Sequence, residues 1–103
     1  MSRGPDAGTL VRRAIERDAR RVGYAVTLTL EQSTRWASAT FVGARHRLSL
    51  GGPDDTDFAH WLDALPEANL PIRGHLIADL AIVARHCTAG RIAATVEALT
   101  VET

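Results

Sequence analysis

A chain of 103 residues, 46% of them apolar, has room for one domain and the composition of a globular protein. Its longest unbroken apolar run, Leu80-Ala81-Ile82-Val83-Ala84, is five residues long, against the about 20 a membrane-spanning helix needs, and its single cysteine excludes an internal disulfide. Twelve Arg and no Lys balance 12 acids, but unevenly: residues 1–50 hold nine Arg and four acids (+5), residues 51–103 three Arg and eight acids (−5). Such a split fits an anion-binding end, or two halves that attract each other within or between molecules, although solvated faces that mix in three dimensions explain it more simply.

The opening segment 1–8 is polar and glycine-containing, reads as flexible, and is not a signal peptide. With the unpaired Cys87 it places the chain in the cytoplasm. The 17 Ala and the exclusive use of Arg are a composition that GC-rich bacterial coding produces.

Thr9 to Val22 reads as an amphipathic helix. Leu10, Val11, Ala14, Ile15, Ala19 and Val22 recur at spacings of three and four, while Arg12, Arg13, Arg17, Arg20 and Arg21 occupy the remaining surface. Either Asp6 or Thr9 can cap its start, and Gly23 suits a left-handed stop. The period then falls to two: Tyr24, Val26, Leu28 and Leu30 alternate with Ala25, Thr27, Thr29 and Glu31, a half-buried strand. Gln32 to Arg35 reads as a short hairpin loop, and a second strand is expected from Trp36 to about Leu50. Its even positions, Val42, Ala44, His46, Leu48 and Leu50, make the better core face, because burying Arg45 and Arg47 is costly.

Gly51-Gly52-Pro53 breaks this pattern, and Asp54, Asp55 and Thr56 supply capping oxygens for a second helix with Phe58, Trp61, Leu62 and Leu65 on one side. Pro66 ends it. From His75 to Arg85 alternation assigns Leu76, Ala78, Leu80, Ile82 and Ala84 to the core and Ile77, Asp79, Ala81, Val83 and Arg85 to the other side. A turn over His86 to Gly90 leads to a last strand with Ile92, Ala94, Val96 and Ala98 inward; Leu99 and Val101 have the opposite parity, which implies a bulge near Ala98 or a place on the far face.

The order is helix, strand, strand, helix, strand, strand, without sequence support for an internal repeat. Hairpins make the four-stranded sheet mainly antiparallel, with both helices on one face: an α+β two-layer sandwich over residues 9–103. Its uncovered face would carry Phe41, Ile77, Ala81, Val83 and Ala93, too apolar for a surface meant for water. That predicts self-association through the open sheet, as a two-fold dimer. A reading from another class is nucleic-acid binding, with Arg13, Arg17 and Arg20 of the first helix or the Phe41, Arg45 and Arg47 row as anion contacts. The balanced charge opposes it.

Signs of catalysis are few. His75 and Asp79, four residues apart on a strand, lie about 13 Å from each other, too far to share an ion or a proton. His86-Cys87 lacks the further ligands a zinc site needs, and adjacent residues do not face each other as a nucleophile pair. His60 points away from the apolar stripe of its helix, and Asp54, Asp55 and Asp57 read as capping rather than as a cation site. His46, inward among apolar neighbours, is the best candidate should a ligand or enzymatic pocket lie between helices and sheet. No cofactor or metal motif occurs, and the reading leans to a non-catalytic interaction module.

Overall fold

The structure, a computed structural model, describes residues 6–103; the expected flexibility of 1–5 lies outside the described residues. The elements follow in the order α1 (Ala7–Arg21), β1 (Thr27–Ala37), β2 (Val42–Pro53), α2 (Thr56–Ala64) with a 3-10 turn at Leu65–Glu67, β3 (His75–Thr88) and β4 (Arg91–Glu102). The four strands form one antiparallel sheet in the order β1-β2-β4-β3. Both helices contribute to the single core that covers one of its faces, so the α+β two-layer architecture stands as read from the sequence.

Asp6 is the cap of α1: its carboxylate accepts from the Thr9 amide at 2.9 Å. The helix therefore takes in Ala7 and Gly8, which sequence alone assigned to a flexible start. At the other end Gly23 adopts φ 96°, and the amides of Gly23 and Tyr24 donate to the carbonyls of Arg20 and Ala19, closing the helix as glycine at that position permits. Val11, Ala14, Ile15 and Ala19 form the buried stripe.

The second helix is capped by Asp55, whose carboxylate accepts from the Phe58 amide at 2.7 Å and from the Tyr24 hydroxyl at 3.1 Å. Phe58, Trp61, Leu62 and Leu65 are buried, as their spacing predicts. The Phe58 ring lies over Gly52 of β2, where a β-carbon would come within 3.0 Å of three ring atoms. Trp61 Nε1 donates to Asp18 at 2.9 Å and ties the two helices together.

The strands depart from the sequence reading in two places. Gln32 to Arg35 is not a loop but the middle of β1, which runs on to Ala37; the hairpin turn is Ser38 to Phe41. Ser38 supplies the turn chemistry, its hydroxyl oxygen accepting from the amides of Thr40 and Phe41. Polar residues are tolerated in β1 because it is an edge strand, exposed over most of its second half. Residues 37 and 39 therefore do not belong to β2, and Phe41 sits on the turn.

The outer strand β3 carries the second departure. Its register to β4 shifts between Ile77 and Asp79 and again between Ile82 and Ala84, so Ala78 and Val83 are bulged. Each extra residue reverses the alternation. Ile77 is consequently paired with buried Thr100 and packs on the helix-covered core, whereas Leu76, assigned inward by strict alternation, is 59% exposed on the open face. Arg85, assigned to the open side, turns to the helices and pairs with Asp63 of α2.

In β4 alternation is regular: Ile92, Ala94, Val96, Ala98 and Thr100 are buried, and Leu99 and Val101 lie on the open face without a bulge. The β3–β4 link is a two-residue turn, Ala89 and Gly90, with φ of 53° and 77°. No described helix is long and apolar enough to cross a membrane.

Candidate functional site

Two places in the fold concentrate polar or exposed groups whose position sequence and packing together explain. One is the open face of the sheet; the other is the histidine buried beneath the start of α1.

The pairing register lays out the open face in cross-strand rows, from β1 through β2 and β4 to β3. The first is Trp36, Gly43, Val101 and Leu76; the next is Thr34, Arg45, Leu99 and Asp79; the third is Gln32, Arg47, Glu97 and Ala81. The fourth runs Thr29, Ser49, Thr95 and Ala84, and the fifth Thr27, Gly51, Ala93 and His86. The face thus grades from an apolar end, beside which Phe41 stands 54% exposed on its turn, through a charged middle to an end of mostly small side chains bordered by Glu31, His86 and Arg91. Trp36 covers Gly43, where a β-carbon would fall within 3.0 Å of its ring. The Trp36 indole N–H is buried without a partner among the described residues.

The charged middle was not legible as such. Arg47 donates to Glu97 through Nη2 at 2.7 Å and Nε at 3.2 Å, an exposed pair of modest energetic weight. Arg45 and Asp79 flank Leu99 in one row, and neither has an ion-pair partner among the described residues. With Gln32, Thr34, Ala81 and the Arg47–Glu97 pair they border a shallow hollow of about 260 Å³.

The other sequence candidates distribute as follows. Ala81 and Ala93 occupy the open face, and Val83 is 50% exposed at its bulge; Ile77 leaves the set for the core. Arg13, Arg17 and Arg20 are exposed on α1, on the opposite side of the sheet from Arg45 and Arg47, so the candidate anion contacts do not form one site. The charge split between the halves is partly consumed within the molecule: Arg47 pairs with Glu97, and Arg35 approaches Glu102 at 4.0 Å. The bulge at Ala78 puts His75 and Asp79 on opposite sheet faces. Cys87 is exposed and His86, its neighbour, faces the other way along β3. His75 and Asp79 also border a hollow of about 520 Å³ between β3 and residues 66–72, and His75 Nδ1 is buried without a partner among the described residues. No group of three or more metal-ligating side chains occurs among the described residues.

His46 is 2% exposed, inward on β2 as its parity predicts. Its Nδ1 lies 2.7 Å from Ser33 Oγ on β1 and its Nε2 2.9 Å from Thr100 Oγ1 on β4. Thr100 donates its own proton to the Ala44 carbonyl at 3.4 Å, so its oxygen accepts Nε2–H, and Nδ1 is left to accept from the Ser33 hydroxyl. Burial pushes the imidazole pKa below the ordinary 6.5; the Asp6 carboxylate opposes that shift and His75 adds to it. Asp6 itself is held below the usual carboxylate value, chiefly by the Thr9 amide it accepts.

A hydroxyl on the lone pair of a neutral imidazole has the donor and acceptor order of a nucleophile and its base. The α1 start denies it that use. A β-carbon at Gly8 would sit 2.9 Å from Ser33 Oγ and 3.2 Å from His46 Nδ1, so the helix backbone already lies against the hydroxyl and leaves no width for a substrate carbonyl on that side. The arrangement is a satisfied polar network that fastens β1, β2 and β4 to one another, with the start of α1 packed against it at Gly8. Parity alone located His46; nothing in the spacing of Gly8, Ser33 and Thr100 announced that they would meet it.

The fold therefore defines a small α+β sandwich whose one antiparallel sheet is uncovered on one face. Compared with models of known protein families and with curated protein sequences, the chain matches none.

Proposed function

We propose that the protein is a non-catalytic interaction module of the cytoplasm that self-associates through the open face of its sheet. The observation that carries this reading is the apolar end of that face, where Leu76 and Phe41 stand mostly exposed beside half-buried Trp36, Leu99 and Val101. A contiguous exposed apolar patch of this kind is the usual mark of a partner-binding surface. Sheets stack face to face at about 10 Å, and the small side chains Ala81, Ala84 and Ala93 permit that approach elsewhere on the face. A polyanionic partner is less well served: Asp79 and Glu97 lie in the same rows as Arg45 and Arg47 and cancel their field.

Sedimentation equilibrium across the micromolar range tests the proposal. A dimer is expected, with Leu76→Asp shifting the chain to monomer and Arg13→Glu on the far side leaving the mass unchanged. A wild-type chain that sediments as a monomer throughout refutes it.

A further inference from the structure

Resting on that self-association, the row of charges on the open face fixes how two copies face each other. We infer that the partner is a second copy related by a two-fold axis running along β4, so that Arg45 of each copy meets the partner's Asp79.

The argument is one of complementarity between rows. Two stacked sheets have two simple choices of two-fold axis in the plane between them. An axis perpendicular to the strands at the level of Arg45 lays β2 on the partner's β2 and β3 on the partner's β3, and brings unpaired Arg45 and Asp79 each against its own copy, like-charge contacts that disfavour the arrangement. An axis along β4 lays β4 on the partner's β4 and β2 over the partner's β3. Leu99 then rests on the partner's Leu99 and Arg45 lies over the partner's Asp79, twice by symmetry. One row further on, exposed Leu76 lies over the partner's Gly43, where the partner's Trp36 indole covers the backbone and offers Leu76 an apolar contact.

Arg45 and Asp79 find no ion-pair partner within the described chain, as is also true of Glu31 and Arg91 toward the far end of the face, and they sit on either side of the axis at equal strand separation. Glu97 comes near its own copy in this arrangement, but each Glu97 is already neutralised by Arg47. A crossing angle of about 30° between the sheets, pivoting at Leu99, offsets the two Glu97 side chains sideways from each other. Three strands about 4.8 Å apart over roughly 30 Å of length give a projected contact of roughly 450 Å² per copy, and side-chain relief enlarges it toward the about 800 Å² of a standard interface.

The test uses two single charge reversals in the full chain, Arg45→Asp and Asp79→Arg. Both positions are exposed, and unchanged circular dichroism and thermal midpoint establish that the variants fold. Each variant alone places like charges together twice and is expected to weaken self-association by at least about tenfold. Mixed in equal amounts, the two are expected to form a heterodimer, because the first then offers two acids to the second's two arginines. If wild type dimerises and the mixture stays monomeric, or if either variant dimerises like wild type, this pairing is overturned while self-association through another arrangement stands. A wild-type monomer overturns both.

Discussion

Replacing Thr100 by valine keeps the volume of a fully buried side chain and removes one oxygen from the interior. That oxygen is the acceptor for His46 Nε2–H at 2.9 Å, and His46 is itself only 2% exposed, so water cannot take its place without opening the sandwich. A buried donor left unsatisfied costs about 1–3 kcal/mol. The added methyl recovers up to about 0.8 kcal/mol. The net expectation is a loss of about 1–2 kcal/mol, or a fall of very roughly 4–16 °C in thermal midpoint for a domain of this size. Ser33→Ala removes the partner on the other ring nitrogen, but Ser33 lies on the exposed edge strand, where solvent can approach the space vacated; the loss expected there is below about 1 kcal/mol. Urea denaturation of the two variants, followed by tryptophan fluorescence, gives the comparison directly. If Ser33→Ala proves as costly as Thr100→Val, or if Thr100→Val is neutral, the donor and acceptor order assigned to this network is wrong.

The same histidine sets a pH dependence. Because its pKa is lowered on folding, the unfolded chain takes up its proton first as pH falls through the ordinary 6.5. Its contribution to stability is therefore whole above that value and is lost as pH falls toward and through the folded pKa; urea midpoints should decline below about pH 6.5, and His46→Gln should flatten that decline. An unchanged slope in the variant counts against it. Gly52→Ala drives a methyl into the Phe58 ring, an overpacking expected to cost about 3 kcal/mol or more out of the about 5–15 available to a domain, with Phe58→Leu in the same chain restoring part of it. A stability within experimental error of wild type for Gly52→Ala contradicts the packing described.

Element order and layer arrangement were legible because β2 and β4 are central strands. Covered on one face by helices, Leu48, Leu50, Val96 and Ala98 must alternate with outward residues, and one register satisfies them. The edge strands are under weaker instruction. In β1 polar Gln32 to Arg35 mimic a loop because no core demands otherwise, and in β3 the run from Leu76 to Ala84 is, but for Asp79, apolar on both sides, so the bulges at Ala78 and Val83 leave no trace in composition. The candidate face inherited those errors: Ile77 went to the core, Leu76 came out, and Trp36 joined the face from β1. The charged row across the middle depends on which residue of one strand lies beside which of another, information that emerges only once the strand order is known.

The two bulges of β3 have a consequence for assembly. An outermost strand of 14 residues offers free amide and carbonyl groups that a neighbouring chain could extend without limit. By interrupting the regular spacing of those groups twice, Ala78 and Val83 deny such a neighbour a continuous template. Side-to-side growth into fibrils from this edge is thereby discouraged.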